Sequence, residues 1–210
     1  MTAELVMNIA TEETNPKVVK ILAGAREIFF QHGFGAATTD MVQQAAGVSK
    51  STVYSYFPSK DALFVAVVRA ECGKLVEGVH RERIKAQTPR ETLLHMGMRL
   101  FETILDPPVL SLLRIVIAEA PRFPDLGRTV REAGALPMLR ELADYLGEAT
   151  RRGDLQVDEP GSAARHFVGM ALHDIHMECL LGMRPVPDEG ESQAIVERAV
   201  EAFLRAYATL

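Results

Sequence analysis

The fold of this chain is decided by residues 38–57, which read TTDMVQQAAGVSKSTVYSYF from Thr38 to Phe57. Val42 and the pair Ala45–Ala46 give the first half an apolar face of small residues, which permits close approach of a neighbouring helix. Gly47 supplies the left-handed conformation of a tight turn, and Ser49 is a good N-cap for the helix that follows. Two short helices joined by such a glycine turn form a helix-turn-helix unit.

Turn signals extend this interpretation along the chain in both directions. No stretch of strand length alternates apolar and polar residues, so the sequence predicts an all-α protein. The Pro107–Pro108 pair is one of the predicted breaks between helices. The first predicted helix is Pro16–His32, which Gly33 ends, and the second starts after Thr38 and ends at Gly47. The third runs from Ser49 to before Pro58, and the fourth is capped by Ser59 and continues past Arg69, at most into Arg81–Lys85. The remaining predicted helices are Arg90–Leu105, Val109–Ala120, Asp125–Gly134, Pro137–Arg152, Gly161–Leu181 and Glu191–Thr209.

Charge is distributed unevenly along the sequence. The net charge of −5 by itself disfavours a nucleic-acid partner, but residues 16–69 carry six basic side chains against three acidic ones. A basic module on an acidic body is expected when one end of a protein meets phosphate. We therefore expect a flexible tail over residues 1–15, a three-helix DNA-binding domain over residues 16–64, and a larger helical dimerisation and ligand-binding domain over residues 65–210.

The outward face of the second short helix is the candidate reading surface. Val53 and Phe57 are four residues apart and should point inward, which leaves Lys50, Ser51, Thr52, Tyr54, Ser55 and Tyr56 outside. These side chains are rich in hydrogen-bonding groups and short enough to enter a major groove. Lys60 begins the next helix, where an ammonium and free helix N–H groups can clamp one phosphate. The alternatives are that Tyr54 and Tyr56 pack the small domain and that Lys60 is an ordinary solvated lysine.

Composition argues against several other classes of protein. Cys72 and Cys179 are too few for a disulfide framework and lack the spacing of a zinc site, which favours a reducing cytoplasm. The first fifteen residues carry three Glu and no Lys or Arg, unlike a secretory signal or transit peptide. No apolar run reaches the roughly 18 residues of a membrane span, so we expect no membrane partner. Since P-loop, dinucleotide-binding and nucleophile-elbow motifs are absent, the sequence predicts neither an enzyme nor a cofactor.

Residues 17–70 resemble the DNA-binding module of the TetR family of bacterial regulators. The positions that carry the resemblance are Ala46, Gly47, Val48, Ser49, Val53, Tyr54, Tyr56, Phe57, Lys60 and Leu63, with Gly33–Phe34 and Thr38–Thr39 upstream. Ser51 and Gln43 depart from the usual small residues, and Ser51 lies where bases are read. The resemblance implies a homodimer that places two recognition helices, about Ser49–Tyr56, in successive major grooves of a pseudo-palindromic operator.

The same resemblance implies roles for individual side chains. Tyr54, Tyr56 and Lys60 would contact phosphates, and Thr39, Lys50, Ser51 and Thr52 would lie nearest to bases. The candidate DNA-binding residues are therefore Thr38, Thr39, Ser49, Lys50, Ser51, Thr52, Tyr54, Ser55, Tyr56 and Lys60.

The segment RIVIAEAPRFPDL, residues 114–126, resembles the AefR-like subgroup of C-terminal domains. That resemblance implies a six-helix body whose last two helices pack against their symmetry mates. The last two predicted helices each carry two neighbouring apolar rows, which favours a second neighbour across a dimer. The alternative is that both are interior helices of a monomer. The candidate interface residues are Phe167, Ala171, Ile175, Val196, Val200, Phe203 and Leu204.

A ligand pocket is inferred from the nine methionines, which can line an adaptable apolar cavity. The candidate lining is Met98, Phe101, Leu105, Leu113, Ile117, Phe123, Met170 and His173, although for any single one of them the sequence favours a core position. His166, His173 and His176 could share a metal, but the spacing of zinc-binding His pairs is absent and a structural histidine pair is favoured.

Together these patterns predict a repressor that a small, largely apolar effector releases from its operator. A DNA-binding protein without a sensor is the first alternative. A metal-binding helical protein or an enzyme is the second.

Overall fold

The computed structural model describes residues 15–80 and 88–207, apart from the side chains of residues 74–80 and His173. Its helices, labelled in chain order, are α1 (Pro16–Ala36), α2 (Thr39–Ala46), α3 (Lys50–Tyr56), α4 (Lys60–His80), α5 (Pro89–Leu105), α6 (Pro107–Glu119), α7 (Asp125–Val130), α8 (Leu136–Arg152), α9 (Pro160–Leu180) and α10 (Glu189–Tyr207). A π-helical turn, Arg131–Ala135, joins α7 to α8. No β-strand occurs within these ranges, and the predicted all-α fold is confirmed. Residues 81–87, the predicted far end of α4, lie outside the described residues.

The chain forms two units. The N-terminal unit comprises the chain up to Cys72 and a second segment, Ile115–Thr129. The body unit comprises Gly73–Arg114 and the chain from Val130 onward. The sequence placed a boundary between residues 64 and 65 and did not predict the second segment. Helices α4 and α6 therefore contribute residues to both units.

Four phenylalanine rings form the centre of the N-terminal unit. Phe29 and Phe34 from α1 and Phe64 from α4 are each about 1% exposed. The ring of Phe123 completes the cluster edge-on to Phe34, with ring centres 5.0 Å apart. Such edge-to-face pairs stabilise a core beyond the area they bury. The cluster thus ties the second segment of this unit to the first.

Glycine sets the distance between helices at one place in each unit. A Cβ on Gly24 of α1 would lie 2.7 Å from the backbone nitrogen of Ala46, so α1 and α2 are in backbone contact. A Cβ on Gly97 of α5 would lie 2.6 Å from Val196 Cγ1 and 3.1 Å from Phe167 Cζ. The body unit accordingly packs α5 tightly against α9 and α10.

Of two helix breaks predicted near prolines, one is present one residue earlier than predicted, at Asp106, and the other is absent. Pro107, read as a breaker, is the first residue of α6, where its missing N–H has no intrahelical partner to lose. The break predicted between Gly134 and Pro137 is absent, because the backbone at Ala135 and Leu136 stays helical. There the N–H of Leu136 donates to the carbonyl of Arg131, a widened turn that gives room for the Pro137 ring.

Candidate nucleic-acid interface

The helix-turn-helix unit is built by the capping residues that the sequence predicted. Thr38 caps α2, its hydroxyl accepting from the backbone N–H of Met41 at 3.2 Å. Gly47 ends α2 in the left-handed conformation, with φ 62° and ψ 36°. Ser49 caps α3 by accepting from the N–H of Thr52 at 3.1 Å. These confirmed turns fix where α3 begins and which of its faces is exposed.

The exposed face of α3 carries Lys50, Ser51, Tyr54 and Ser55. Its hydroxyl groups are held by neighbours on the same helix. Ser49 Oγ lies 2.8 Å from Ser51 Oγ and 2.7 Å from Thr52 Oγ1, and the Ser55 hydroxyl donates to the Thr52 carbonyl at 2.8 Å. A hydroxyl has one donor and two acceptor sites, so each retains capacity for a base or phosphate.

The two tyrosines link α3 to its surroundings. Tyr54 is 44% exposed, and its hydroxyl lies 3.2 Å from Thr39 Oγ1 at the start of α2. Tyr56 is half-buried, and its hydroxyl accepts from Asn15 Nδ2 at 3.2 Å. Asn15 also caps α1 by accepting from the N–H of Lys17, and it was not among the predicted DNA-binding residues. Both phenolic groups therefore lie at fixed positions on the edge of the reading face.

Lys60 has partners that the sequence did not predict. Its ammonium donates to the carbonyl oxygens of Phe34 at 2.9 Å and Ala37 at 2.8 Å, with Gly35 O at 3.5 Å. The same group lies 4.4 Å from the centre of the Phe34 ring. An ammonium has three N–H donors, and these contacts direct them at the end of α1 rather than toward solvent. These contacts join α4 to α1, and the phosphate role expected for Lys60 stays a prediction.

Asp40 was not a candidate and yet lies beside the reading face. Its Oδ1 atom is 2.7 Å from Lys50 Nζ, and the two side chains are 60% and 52% exposed. The hydrogen bond and the charge of Asp40 raise the pKa of Lys50 above its ordinary value. Lys50 is therefore a cation that carries its own counter-charge.

The predicted pocket residues do not form one site. Met98, Phe101 and Leu105 line a cavity of about 380 Å³ in the body unit, together with Pro187 and three carboxylates, those of Glu102, Asp106 and Glu189. Leu113 packs beside the body core and Met170 lines a separate groove. Ile117 is 57% exposed and Phe123 belongs to the aromatic cluster, both in the N-terminal unit. The side chain of His173 lies outside the described residues.

A smaller cavity lies among α5, α8 and α9. Its volume is about 30 Å³, and its lining includes the apolar side chains of Met96, Met138 and Phe167 together with Arg99 and Glu141. That volume holds one water molecule and no drug-sized ligand.

Five of the seven predicted interface residues are in the core of the protomer. Phe167, Ala171, Val196, Val200 and Phe203 are at most 2% exposed. Ile175 and Leu204 are partly buried beside that core. The first five pack α9 against α5 and α10 within the protomer, and of these five Ala171 also lines the groove described next. The surface that α9 and α10 leave open is a groove of about 480 Å³ whose apolar lining includes Met170, Ile175, Ile195, Ala199 and Ala202.

The three histidines weighed as a metal site lie at intervals along α9. His166 Nδ1 lies 2.7 Å from the hydroxyl of Tyr207. His176 is ten residues further along α9, about 15 Å away. Its Nε2 atom is buried without a hydrogen-bond partner, and burial lowers the pKa of its imidazole. Among the described side chains, no three of the His, Cys, Asp or Glu residues are placed to bind a metal.

Comparison with known protein families shows the family to which this chain belongs. The model of AefR-like transcriptional repressor C-terminal domains matches residues 91–209, more than half of the chain, and that of bacterial regulatory proteins of the tetR family matches residues 21–67. The chain belongs to the TetR family. It is accordingly a DNA-binding transcriptional regulator and not an enzyme. Within its described residues, no helix is long and apolar enough to cross a membrane.

Individual TetR-family relatives agree with this assignment. The repressor Rv1474c of Mycobacterium tuberculosis is 28% identical over 79% of this chain and 83% of its own length. The regulator QacR of Staphylococcus aureus is 36% identical over 72 residues, and the match spans 38% of that protein. A TetR-family regulator of Mesorhizobium loti is 30% identical over 92% of this chain and 97% of its own, with a TM-score of 0.84. The flavonoid-responsive regulator FrrA is 31% identical over 91% of this chain and 97% of its own, with a TM-score of 0.78.

Proposed function

We propose that this TetR-family protein is a homodimeric repressor whose two α3 helices enter successive major grooves of a pseudo-palindromic operator. The observation that carries the proposal is the exposed face of α3, which Ser49 caps and on which Lys50, Ser51, Tyr54 and Ser55 lie. A recognition helix that presents cations and hydroxyls can bond both base edges and phosphates. Repression is supported by the relatives, among which Rv1474c is named a repressor.

The dimer is proposed to form on the groove between α9 and α10. Its lining combines small and apolar side chains with Asp174, Glu191 and Arg198. Ala199 and Ala202 permit close approach of a partner helix, and a two-fold axis would bring the same groove of both copies together. The three charged residues would supply the polar contacts that accompany the apolar part of such an interface.

The effector is proposed to bind in the 380 Å³ cavity of the body unit, whose volume lies in the range of small-molecule pockets. Met98, Phe101 and Leu105 supply an apolar wall, and Glu102, Asp106 and Glu189 supply hydrogen-bond acceptors. This lining favours a small, largely apolar molecule with hydroxyl donors and disfavours an anion. The neighbour FrrA is described as flavonoid-responsive, and a flavonoid has this chemistry.

The test uses the full chain and fluorescently labelled duplex DNA. We expect the protein to select a pseudo-palindromic sequence from a random duplex library, and we expect quercetin, a flavonoid, to weaken that binding. Met98→Trp should fill the cavity and abolish the quercetin response while leaving operator binding intact, whereas Met183→Trp, at a 71% exposed position, should change neither. Selection without any quercetin response in the unmodified protein would favour the alternative of a DNA-binding protein without this sensor.

A further inference from the structure

The ion pair between Asp40 and Lys50 has no evident structural purpose. Both side chains are more than half exposed, and such surface pairs contribute little to the free energy of unfolding. Asp40 lies in the first turn of α2 and Lys50 is the first residue of α3, so the pair joins the two helices of the helix-turn-helix. The N-terminal residues of a recognition helix are those that meet base edges.

The pair has a donor and an acceptor side by side. Lys50 keeps two N–H donors beyond the one directed at Asp40, and the carboxylate keeps acceptor sites but has no donor. A phosphate has acceptors alone, so the carboxylate is repelled by the DNA backbone. The major-groove edge of a G·C pair has the matching pattern, with acceptors at guanine N7 and O6 and a donor at cytosine N4. An A·T pair places the thymine methyl beside its acceptor, which is a poor neighbour for a charged pair.

We infer that Asp40 and Lys50 together specify one G·C base pair in each operator half-site. Lys50 donates to guanine, and Asp40 accepts from the cytosine N4 amino group. Because Asp40 neutralises Lys50, the pair adds base preference without adding to the general attraction for phosphate. This inference rests on the proposed operator binding and makes Asp40, rather than Lys50 alone, a determinant of specificity.

Selection from a random duplex library tests the inference with the full chain. We compare the unmodified protein, Asp40→Asn and Lys50→Met, with Glu27→Gln as the control that removes one exposed charge from α1. Both reading-face variants should lose preference at the same G·C position, by about fivefold or more, which is the usual effect of one mismatched pair. On a mixed-sequence duplex, Asp40→Asn should bind more tightly, with a salt slope steeper by about one per protomer, because Lys50 can then neutralise a phosphate.

The remaining outcomes decide against the inference in different ways. Equal base preference in Asp40→Asn and the unmodified protein overturns it and leaves operator binding intact. Loss of preference at different positions in the two variants, or at an A·T position, also overturns it. An unmodified protein that selects no sequence overturns the proposed function and this inference together. Since Asp40 is exposed, both variants should keep the melting temperature of the unmodified chain, and that measurement excludes misfolding.

Discussion

The ammonium of Lys60 lies 2.9 Å from the carbonyl oxygen of Phe34 and 4.4 Å from the centre of its ring. One side chain at the start of α4 thus satisfies the polar end of α1 and stacks on an aromatic ring of the core. Cation–π contacts and hydrogen bonds to charged groups are both stronger when partly shielded from water. Lys60 therefore holds α4 against the end of α1, the helix on which α2 packs.

Replacement of Lys60 by Met should lower the stability of the N-terminal unit and leave the salt dependence of DNA binding nearly unchanged. We expect the N-terminal unit to lose about 1–3 kcal/mol, because the carbonyls of Phe34 and Ala37 lose a charged donor. The salt slope of DNA binding should stay near that of the unmodified protein. Thermal unfolding and fluorescence anisotropy at several salt concentrations measure the two effects, with Lys20→Met, an exposed lysine on α1, as the control. A slope lower by about one with an unchanged melting temperature would support the phosphate role.

Substitution of Gly24 by Ala should separate α1 from α2. The added Cβ would lie 2.7 Å from the backbone nitrogen of Ala46, and backbone cannot move aside as a flexible side chain can. We expect a loss of about 1–3 kcal/mol, typical of an overpacked core, and weaker operator binding. Gly35→Ala, where the added Cβ meets nothing within 4 Å, is the matched control for both measurements. Equal melting temperatures for the two variants would show that α2 can shift away from α1 without a loss of stability.

Truncation of Phe123 should destabilise the DNA-binding unit, although it lies far from the helix-turn-helix in sequence. Phe123→Ala removes a ring 5.0 Å from Phe34 and 6.2 Å from Phe64. We expect a loss of about 1–3 kcal/mol, less than for a fully buried ring. Ile117→Ala, at a 57% exposed position in the same segment, should be nearly neutral. Hydrogen exchange at the amides of α1 and α4 measures the stability of the N-terminal unit directly. Unchanged protection in Phe123→Ala would contradict a stabilising role for Phe123 in the aromatic cluster.

A charge placed in the groove between α9 and α10 should weaken the proposed dimer. Met170 is 46% exposed and lines that groove, so Met170→Glu would bury an unpaired carboxylate at the interface. We expect a larger monomer fraction by light scattering and, as a consequence, weaker binding to a two-half-site operator. Val19→Glu, at a 51% exposed position on α1, is the control. A Met170→Glu protein that remains fully dimeric would place the interface elsewhere.

Acid should destabilise the body unit through His176. Burial lowers the pKa of this imidazole below its ordinary value of 6.5, so near neutral pH it is uncharged in both the folded and the unfolded chain. As the pH falls below 6.5, the unfolded chain takes up the proton first, and the free energy of unfolding falls until the pH passes the folded pKa. His176→Leu should reduce this pH dependence of the melting temperature, whereas His32→Leu, at an exposed position on α1, should not. Identical pH profiles for His176→Leu and the unmodified protein would assign the effect to other groups.

Local chemistry made the helix-turn-helix predictable. Thr38, Gly47 and Ser49 act within four residues of their partners, so their residue types suffice to locate both helices and the turn. The contacts of Lys60 and Phe123 were not predicted because their partners are distant in sequence. Lys60 bonds the carbonyl of a residue 26 positions earlier, and no local pattern records such a contact.

Periodicity located the apolar rows of α9 and α10 but could not say what covers them. Phe167 and Phe203 fill the core of their own unit, with ring centres 5.5 Å apart. A helix with two apolar rows has the same sequence pattern whether its second neighbour is another helix of the protomer or a helix of a second chain. The distribution of Met98 and Met170 between separate sites was hidden for the same reason.

The presence of Ile115–Thr129 in the N-terminal unit makes the DNA-binding module discontinuous in sequence. During synthesis the N-terminal part emerges first, but its aromatic cluster stays incomplete until Phe123 has left the ribosome. Exchange of residues 16–64 between related regulators would likewise leave Phe34 without its own partner ring. A working chimera needs three crossover points, one after Cys72 and one on each side of Ile115–Thr129, so that both segments of the module are transferred together.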